Sequence, residues 1–446
     1  MKKGALRKDL SLAEIVALGI GTMIGGTVFS SLGIAVFSLG RLSLLSIILN
    51  SLIAILIGYN YAKLSARYPS CGASYSFIAK AFPKNVLLKL ITGYVALFAY
   101  ASAISFYALV FAHYIHVLLG ISVRIFSIIT IAITLIVVSV IVNMMGVKKT
   151  GILESLLSYF KLSVLIIVIL IGLLLLHGSL SIKVHDDAPI TITTIIKGML
   201  YGSTLTFLGF EGFETIANAS EESRERHYVS KAIYLSLITV SCIYVLTALL
   251  ILFAINSNMN KLSCVHVETL LSNVALMAFG SIGKELISLC ALVATISALN
   301  GSLYAVSRLV YAMSKDDILP DYLGRLNKHD VPYRSIMLTG IISCLLIVFN
   351  QKVAQLSEIT SLAFLLIFMI TSFANLKVYR ETSSRMILCL LGIFFPLILI
   401  LSTISTTPST LIPFVLWTLL LTTIGLIIFV INRCSSSFLN HTRVIR

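Results

Sequence analysis

Twelve apolar stretches of about twenty residues, each closed by a short polar turn, leave this chain few ways to fold. They run over about 12 to 37, 42 to 65, 88 to 116, 124 to 145, 152 to 177, 193 to 217, 232 to 255, 285 to 313, 335 to 350, 355 to 376, 386 to 403 and 409 to 432. A helix of that length crosses a hydrocarbon layer about 30 Å thick, where every backbone polar group must bond within the protein. Only 11% of the 446 residues are charged and 58% are hydrophobic, with a mean hydropathy of +1.02. A soluble domain carries about 25% charge, so a water-soluble core is excluded. The expected fold class is an all-α polytopic membrane protein of twelve transmembrane helices, a single domain over 1–446.

The basic start "MKKGALRKDL" precedes an apolar run too long and too rich in glycine for a cleaved signal peptide. Ser11 and Glu14 have the spacing of a capping box instead, which opens a helix. Placing the N-terminus inside puts Lys2, Lys3, Arg7, Lys8, Arg67, Lys80, Lys84, Lys148, Lys149, Arg224, Arg226, Lys231, Lys315, Arg325, Lys328, Arg334, Lys377, Arg380, Arg385, Arg433, Arg443 and Arg446 on one side. The other side holds Arg41, Arg124, Lys183, Lys197, Lys261, Lys284 and Lys352. The positive-inside rule then sets both termini in the cytoplasm of a protein integral to the plasma membrane. The net charge of +15 is thus a topology signal with some contact to anionic lipid, not a nucleic-acid footprint. Seven scattered cysteines show neither a disulfide framework nor metal-ligand spacing, and His113 and His116 have no third ligand. No cofactor and no metal are expected, and no span carries a catalytic set, so an embedded enzyme is disfavoured. A channel would want rings of charge or carbonyls supplied by an oligomer.

Two spans carry glycines where a helix tolerates them poorly. The first holds "GIGTMIGG" and the sixth "GSTLTFLGFEGFETIANASEES", with Glu211 and Glu214 at membrane depth. Gly21 and Gly25 also fit the small-residue pattern of packed transmembrane helices, which on spacing alone is an equal reading. First and sixth are, however, the starting positions of the halves of a five-plus-five inverted repeat, here 11–178 and 190–380, followed by 385–432. Paired interruptions of this kind mark transporter sites on discontinuous helices. Unwound backbone offers amides to a carboxylate and carbonyls to an ammonium, so a zwitterion fits such a gap.

"GIGTMIGGTVF", "FLGFEGFETIANASEES", "ISALNGSLYAVSRLVYAMSKDDILP" and "YPSCGASYSFIAKAFPKN", the last with Pro69, Gly72 and Tyr75, together resemble the amino acid-polyamine-organocation permease superfamily. The resemblance runs from about residue 11 to the last span. It implies a leucine-transporter-type core in spans one to ten, with discontinuous helices 1 and 6. It also implies that the substrate carboxylate meets backbone at Thr22, Ile24, Gly25, Gly26 and Thr27, while carbonyls around Phe207, Leu208 and Gly209 meet the amino group. Thr27 stands where the family has glycine, and the proline elements usual after Glu221 and Glu222 are missing from "SRERHYVSKAI".

Lys161 lies about ten residues into span five, roughly 15 Å deep and too far to snorkel with ease. Some proton-coupled members of the resembled family carry a lysine there, which makes Lys161 the expected coupling group; the alternative is a fixed ammonium clamping carbonyls of the first helix. Glu211 stands where the family motif has a gate carboxylate, so gating is expected of it. Glu214 is either a second gating group or the partner of a basic residue. Tyr100 is a candidate for lining the pocket, and Arg308 either snorkels or closes the cytoplasmic end. Trp417, the single tryptophan, falls in span twelve, away from the gap. Two carboxylates opposed by a lysine suit a neutral amino acid better than a polyamine. The expectation is a monomeric or homodimeric secondary transporter of an amino acid, driven by protons. An exchanger, a cationic amino acid or polyamine carrier and a non-transporting sensor remain as alternatives.

Overall fold

The computed structural model describes residues 10–145, 150–176, 191–257, 266–327 and 331–444. The basic residues expected at 2, 3, 7, 8, 148, 149, 183, 261, 328 and 446 lie outside them. Among the described residues the structure is helical apart from turns and a lone parallel bridge between Leu10 and Ser223. Among the described residues nine helices are long and apolar enough to cross a membrane, ten when one bent pair counts as a single span.

The capping box forms as expected. Ser11 N–H donates to Glu14 Oε2 at 2.8 Å and Glu14 N–H to Ser11 Oγ at 3.4 Å, opening α1 (Leu12–Met23). At Ile24 the backbone leaves helical geometry (φ −80°, ψ 69°), and the chain resumes as a wide π turn over Thr27–Ser31 and then α2 (Leu32–Leu39). The two pieces are bent by 41°. α3 (Leu42–Arg67) follows, and then α4 (Ala73–Ala81), a short helix between the second and third apolar stretches. Its buried Ala73, Phe77, Ile78 and Ala81 recur at helical spacing, enough to pin nine residues onto the bundle.

α5 (Val86–Leu119), α6 (Ile125–Met144) and α7 (Thr150–Leu176) come next. The sixth stretch is broken as well: α8 (Ile192–Thr206), a tight 3-10 turn over Phe207–Phe210, and α9 (Gly212–Asn218). α10 (Arg226–Ser257) starts six residues earlier than the apolar run implied. α11 (Leu270–Lys315) likewise begins well before residue 285, with a kink at Gly280 (φ 69°) that only a residue without a side chain adopts freely. The side chains of Ser272 and Asn273 in its first turn both bond back to the Thr269 carbonyl. The remaining elements are α12 (Tyr333–Phe349), α13 (Val353–Lys377), α14 (Met386–Thr406) and α15 (Pro408–Val444).

Burial sorts centre from rim. In α5, 94% of the most apolar stretch is buried within the protein, against 11% in α15, whose outward leucines and isoleucines suit lipid. α5 therefore runs through the interior of the bundle, packed against α11 and α13.

Candidate functional site

The two breaks face each other. A methyl group built on Gly212, at the start of α9, would stand 2.7 Å from the Gly19 carbonyl oxygen and 2.9 Å from the Met23 nitrogen. Both neighbours are backbone and cannot step aside, so glycine is required for the second broken helix to lie on the first. On the other side of α1, a methyl on Gly25 would meet Ala298 at 2.7 Å and the Tyr107 ring at 2.8 Å. The glycines thus serve both close packing and interruption.

An interrupted helix leaves its last carbonyls without donors, and at this depth each needs one. Ile20 takes the Ile24 amide at 2.8 Å. Gly21 takes the Lys161 ammonium at 2.5 Å, and Met23 takes the Tyr244 hydroxyl at 2.7 Å. The same hydroxyl lies 3.3 Å from the Gly209 carbonyl in the second break, so Tyr244 on α10 ties the two breaks together. α13 supports the 3-10 turn: Ser361 Oγ accepts the Leu208 amide at 2.9 Å, and Ser357 Oγ donates to the Leu205 carbonyl at 2.8 Å.

Of the positions expected at the site, Thr22, Ile24, Thr27, Phe207, Leu208, Glu211 and Glu214 are all buried. Thr22 turns its hydroxyl back to the Leu18 carbonyl at 2.9 Å, and the Ile24 amide is spent on Ile20. The first amides of the resumed helix, at Gly26 and Thr27, are those a helix start leaves over for a ligand. Lys161 is fully buried and bridges α1 to α11 through Ser297 Oγ at 2.9 Å. Tyr100 accepts from Asn218 Nδ2 at 3.1 Å and stands edge-on to Phe364, so it meets the far end of α9, not the break.

Glu211 and Glu214 are brought close but engaged separately. Tyr107 donates its hydroxyl to Glu211 Oε1 at 2.7 Å. Ser74 of α4 donates to Glu214 Oε1 at 2.5 Å and is also hydrogen-bonded to Tyr61. The second oxygen of each carboxylate is buried with no hydrogen-bond partner among the described residues. Beyond α9 the chain is latched at one end of the bundle. Glu222 accepts from Tyr304 at 2.7 Å and from Arg308 at 3.2 Å; Ser70 and Ser220 exchange two bonds, and Tyr75 reaches Asp316 at 3.0 Å. Among the described residues no group of His, Cys, Asp and Glu could hold a metal.

Sequence reasoning missed Tyr244, Ser297, Ser357, Ser361 and Tyr107. One signal was present: "YASAISFYALVFAHY" sets Tyr100, Tyr107 and Tyr114 seven apart, two helical turns each, on one face of α5. Tyr114 donates to the Phe29 carbonyl at 2.7 Å, so the row touches both broken helices.

The amino acid permease family model matches residues 10–430. The chain belongs to the amino acid permease family. Its members are transporters, not enzymes, and with its many apolar helices this permease is an integral membrane protein. An uncharacterized protein of Methanocaldococcus jannaschii is 30% identical over 386 residues, 85% of this chain and 84% of that one. The methylthioribose transporter of Bacillus subtilis is 25% identical over 363 residues (77% and 75%), and the branched-chain amino acid permease BcaP of Lactococcus lactis 25% over 389 residues (83% and 81%). The last two names carry different substrates at equal identity, so likeness sets the family and leaves the substrate to the site.

Proposed function

We propose that this permease moves a neutral amino acid across the plasma membrane by alternating access, driven by protons, with both termini cytoplasmic. The reading takes the twelve apolar stretches as twelve spans and the first ten as a leucine-transporter-type inverted repeat. Its main support is the pair of breaks held face to face by the Tyr244 hydroxyl between the Met23 and Gly209 carbonyls. Amides at Gly25, Gly26 and Thr27 take the substrate carboxylate, and the side of the gap formed by Phe207, Leu208 and Gly209 takes the amino end.

Lys161 is the coupling group. Its ammonium holds the end of α1 to α11, so loss of the proton removes the charge from those bonds, weakens the hold on the Gly21 carbonyl and lets α1 move. Glu214, tied through Ser74 to α4, gates the cytoplasmic side together with the Glu222, Tyr304 and Arg308 cluster. The neutral class is supported by Lys161, whose charge opposes those of Glu211 and Glu214, and by a relative named as a branched-chain amino acid permease. Uptake of labelled amino acids into proteoliposomes, with and without an inward proton gradient, tests this for wild type and Lys161→Ala. Gradient-stimulated uptake that the variant loses, with substrate binding kept, supports the reading. Uptake that ignores the gradient and requires internal amino acid assigns an exchanger and leaves Lys161 a structural clamp.

A further inference from the structure

Glu211 is a buried carboxylate at the break whose bonding is incomplete. It is 2% exposed, one oxygen takes the Tyr107 hydroxyl, and the other has no hydrogen-bond partner among the described residues. Its location is set by that tyrosine: the ring lies against Gly25 and Gly26, so the carboxylate and hydroxyl stand at the interruption of α1. Among the described residues the ion pairs are His227 with Glu225 and Arg308 with Glu222, and neither reaches Glu211.

The neighbouring carbonyls already have donors. Tyr244 caps Met23 and lies against Gly209, Lys161 caps Gly21, and the Glu211 amide itself donates to Leu208 at 3.2 Å. A buried carboxylate oxygen left unpaired is costly until a cation or a proton reaches it. An ammonium, with three donors, satisfies that oxygen and still touches the second lone pairs of the carbonyls beside it.

We propose that Glu211 is the counter-ion of the substrate's amino group, so that the site selects for a charged amine through a carboxylate and not through carbonyl dipoles alone. Glu211 then faces the substrate, with Tyr107 as the positioning residue that aims it. The proposal rests on the amino acid reading above and adds to it a specificity-determining side chain.

The test compares the L-amino acid that the wild-type protein takes up best in proteoliposomes with the α-hydroxy acid of the same skeleton, for wild type, Glu211→Gln and Tyr107→Phe. The expected result is that wild type prefers the amine by at least about tenfold in half-saturating concentration, and that Glu211→Gln loses this preference by weakening the amino acid alone. Tyr107→Phe, which keeps the carboxylate, should weaken the amino acid while retaining some preference. Wild type indifferent to the exchange of amine for hydroxyl overturns the proposal without needing any variant to fold. Glu211→Gln that keeps the preference but no longer responds to a proton gradient also overturns it, making Glu211 a proton site while the amino acid reading stands. Wild type that takes up no amino acid at all defeats both.

Discussion

The Lys161 ammonium donates to the carbonyl oxygen of Gly21 at 2.5 Å, so a side chain of α7 completes the hydrogen bonding of a helix that stops short. Replacing it with methionine keeps an unbranched side chain but leaves that carbonyl buried and bare, at a cost of about 1–3 kcal/mol. Lys161→Met is therefore expected to melt below wild type in detergent, in addition to losing the response to the proton gradient. A variant that melts at the wild-type temperature would show that the carbonyl finds another donor.

Tyr244→Phe removes one oxygen and leaves the packing alone. Met23 and Gly209 both lose their donor, and the two breaks lose their shared tie. Uptake kinetics should show a higher KM, with an apparent loss of about 1–3 kcal/mol. Tyr114→Phe, which uncaps only Phe29, serves as the comparison and should leave KM closer to wild type.

Alanine at position 212 should be worse than alanine at position 26. The added methyl at 212 meets backbone of α1 at 2.7 and 2.9 Å, whereas at 26 it meets side chains of Phe106, Tyr107 and Val110, which can shift more readily than backbone. Uptake should vanish for Gly212→Ala and be reduced for Gly26→Ala, with both variants checked for monodispersity by size-exclusion chromatography. Equal activity of the two would mean that the helices do not close on each other as described.

Cys71, in the turn before α4, reports on the latch. Burial, reinforced by nearby Glu221, pushes its thiol up to about 11. The reactive thiolate is therefore scarce near neutral pH, on the order of a hundredfold scarcer than for an unburied thiol, and becomes abundant only as pH rises toward about 11. Maleimide labelling should be slow in wild type and faster in Glu222→Gln, which cuts the bonds from Tyr304 and Arg308 and lets that end open. Labelling of the two at the same rate would separate the latch from the turn that carries Cys71.

The interruptions were legible in the sequence because glycine in the middle of an apolar run has few uses. The residues that complete them were not. Tyr244 is 221 residues from Met23 along the chain, and nothing in the spacing of α10 marks it among other tyrosines of apolar spans. The row on α5 was legible as a period, yet Tyr100 was singled out where Tyr107 meets the break, since a seven-residue repeat names a face and not a depth. α4 was hidden by its length, and α11 begins ahead of its apolar run, where the Ser272 and Asn273 side chains bond back to the Thr269 carbonyl. Lys161 was legible from depth alone, because a lysine in the middle of a span must have a partner.

Tyrosine and phenylalanine differ by one oxygen, and that lends the row on α5 a further property. Each of Tyr100, Tyr107 and Tyr114 touches a broken helix through its hydroxyl while its ring fills the core. A lineage can therefore add or drop one polar contact to the broken helices by a single nucleotide change, with no core volume to rebuild. A scaffold built this way can drift between substrates along a path of functional intermediates.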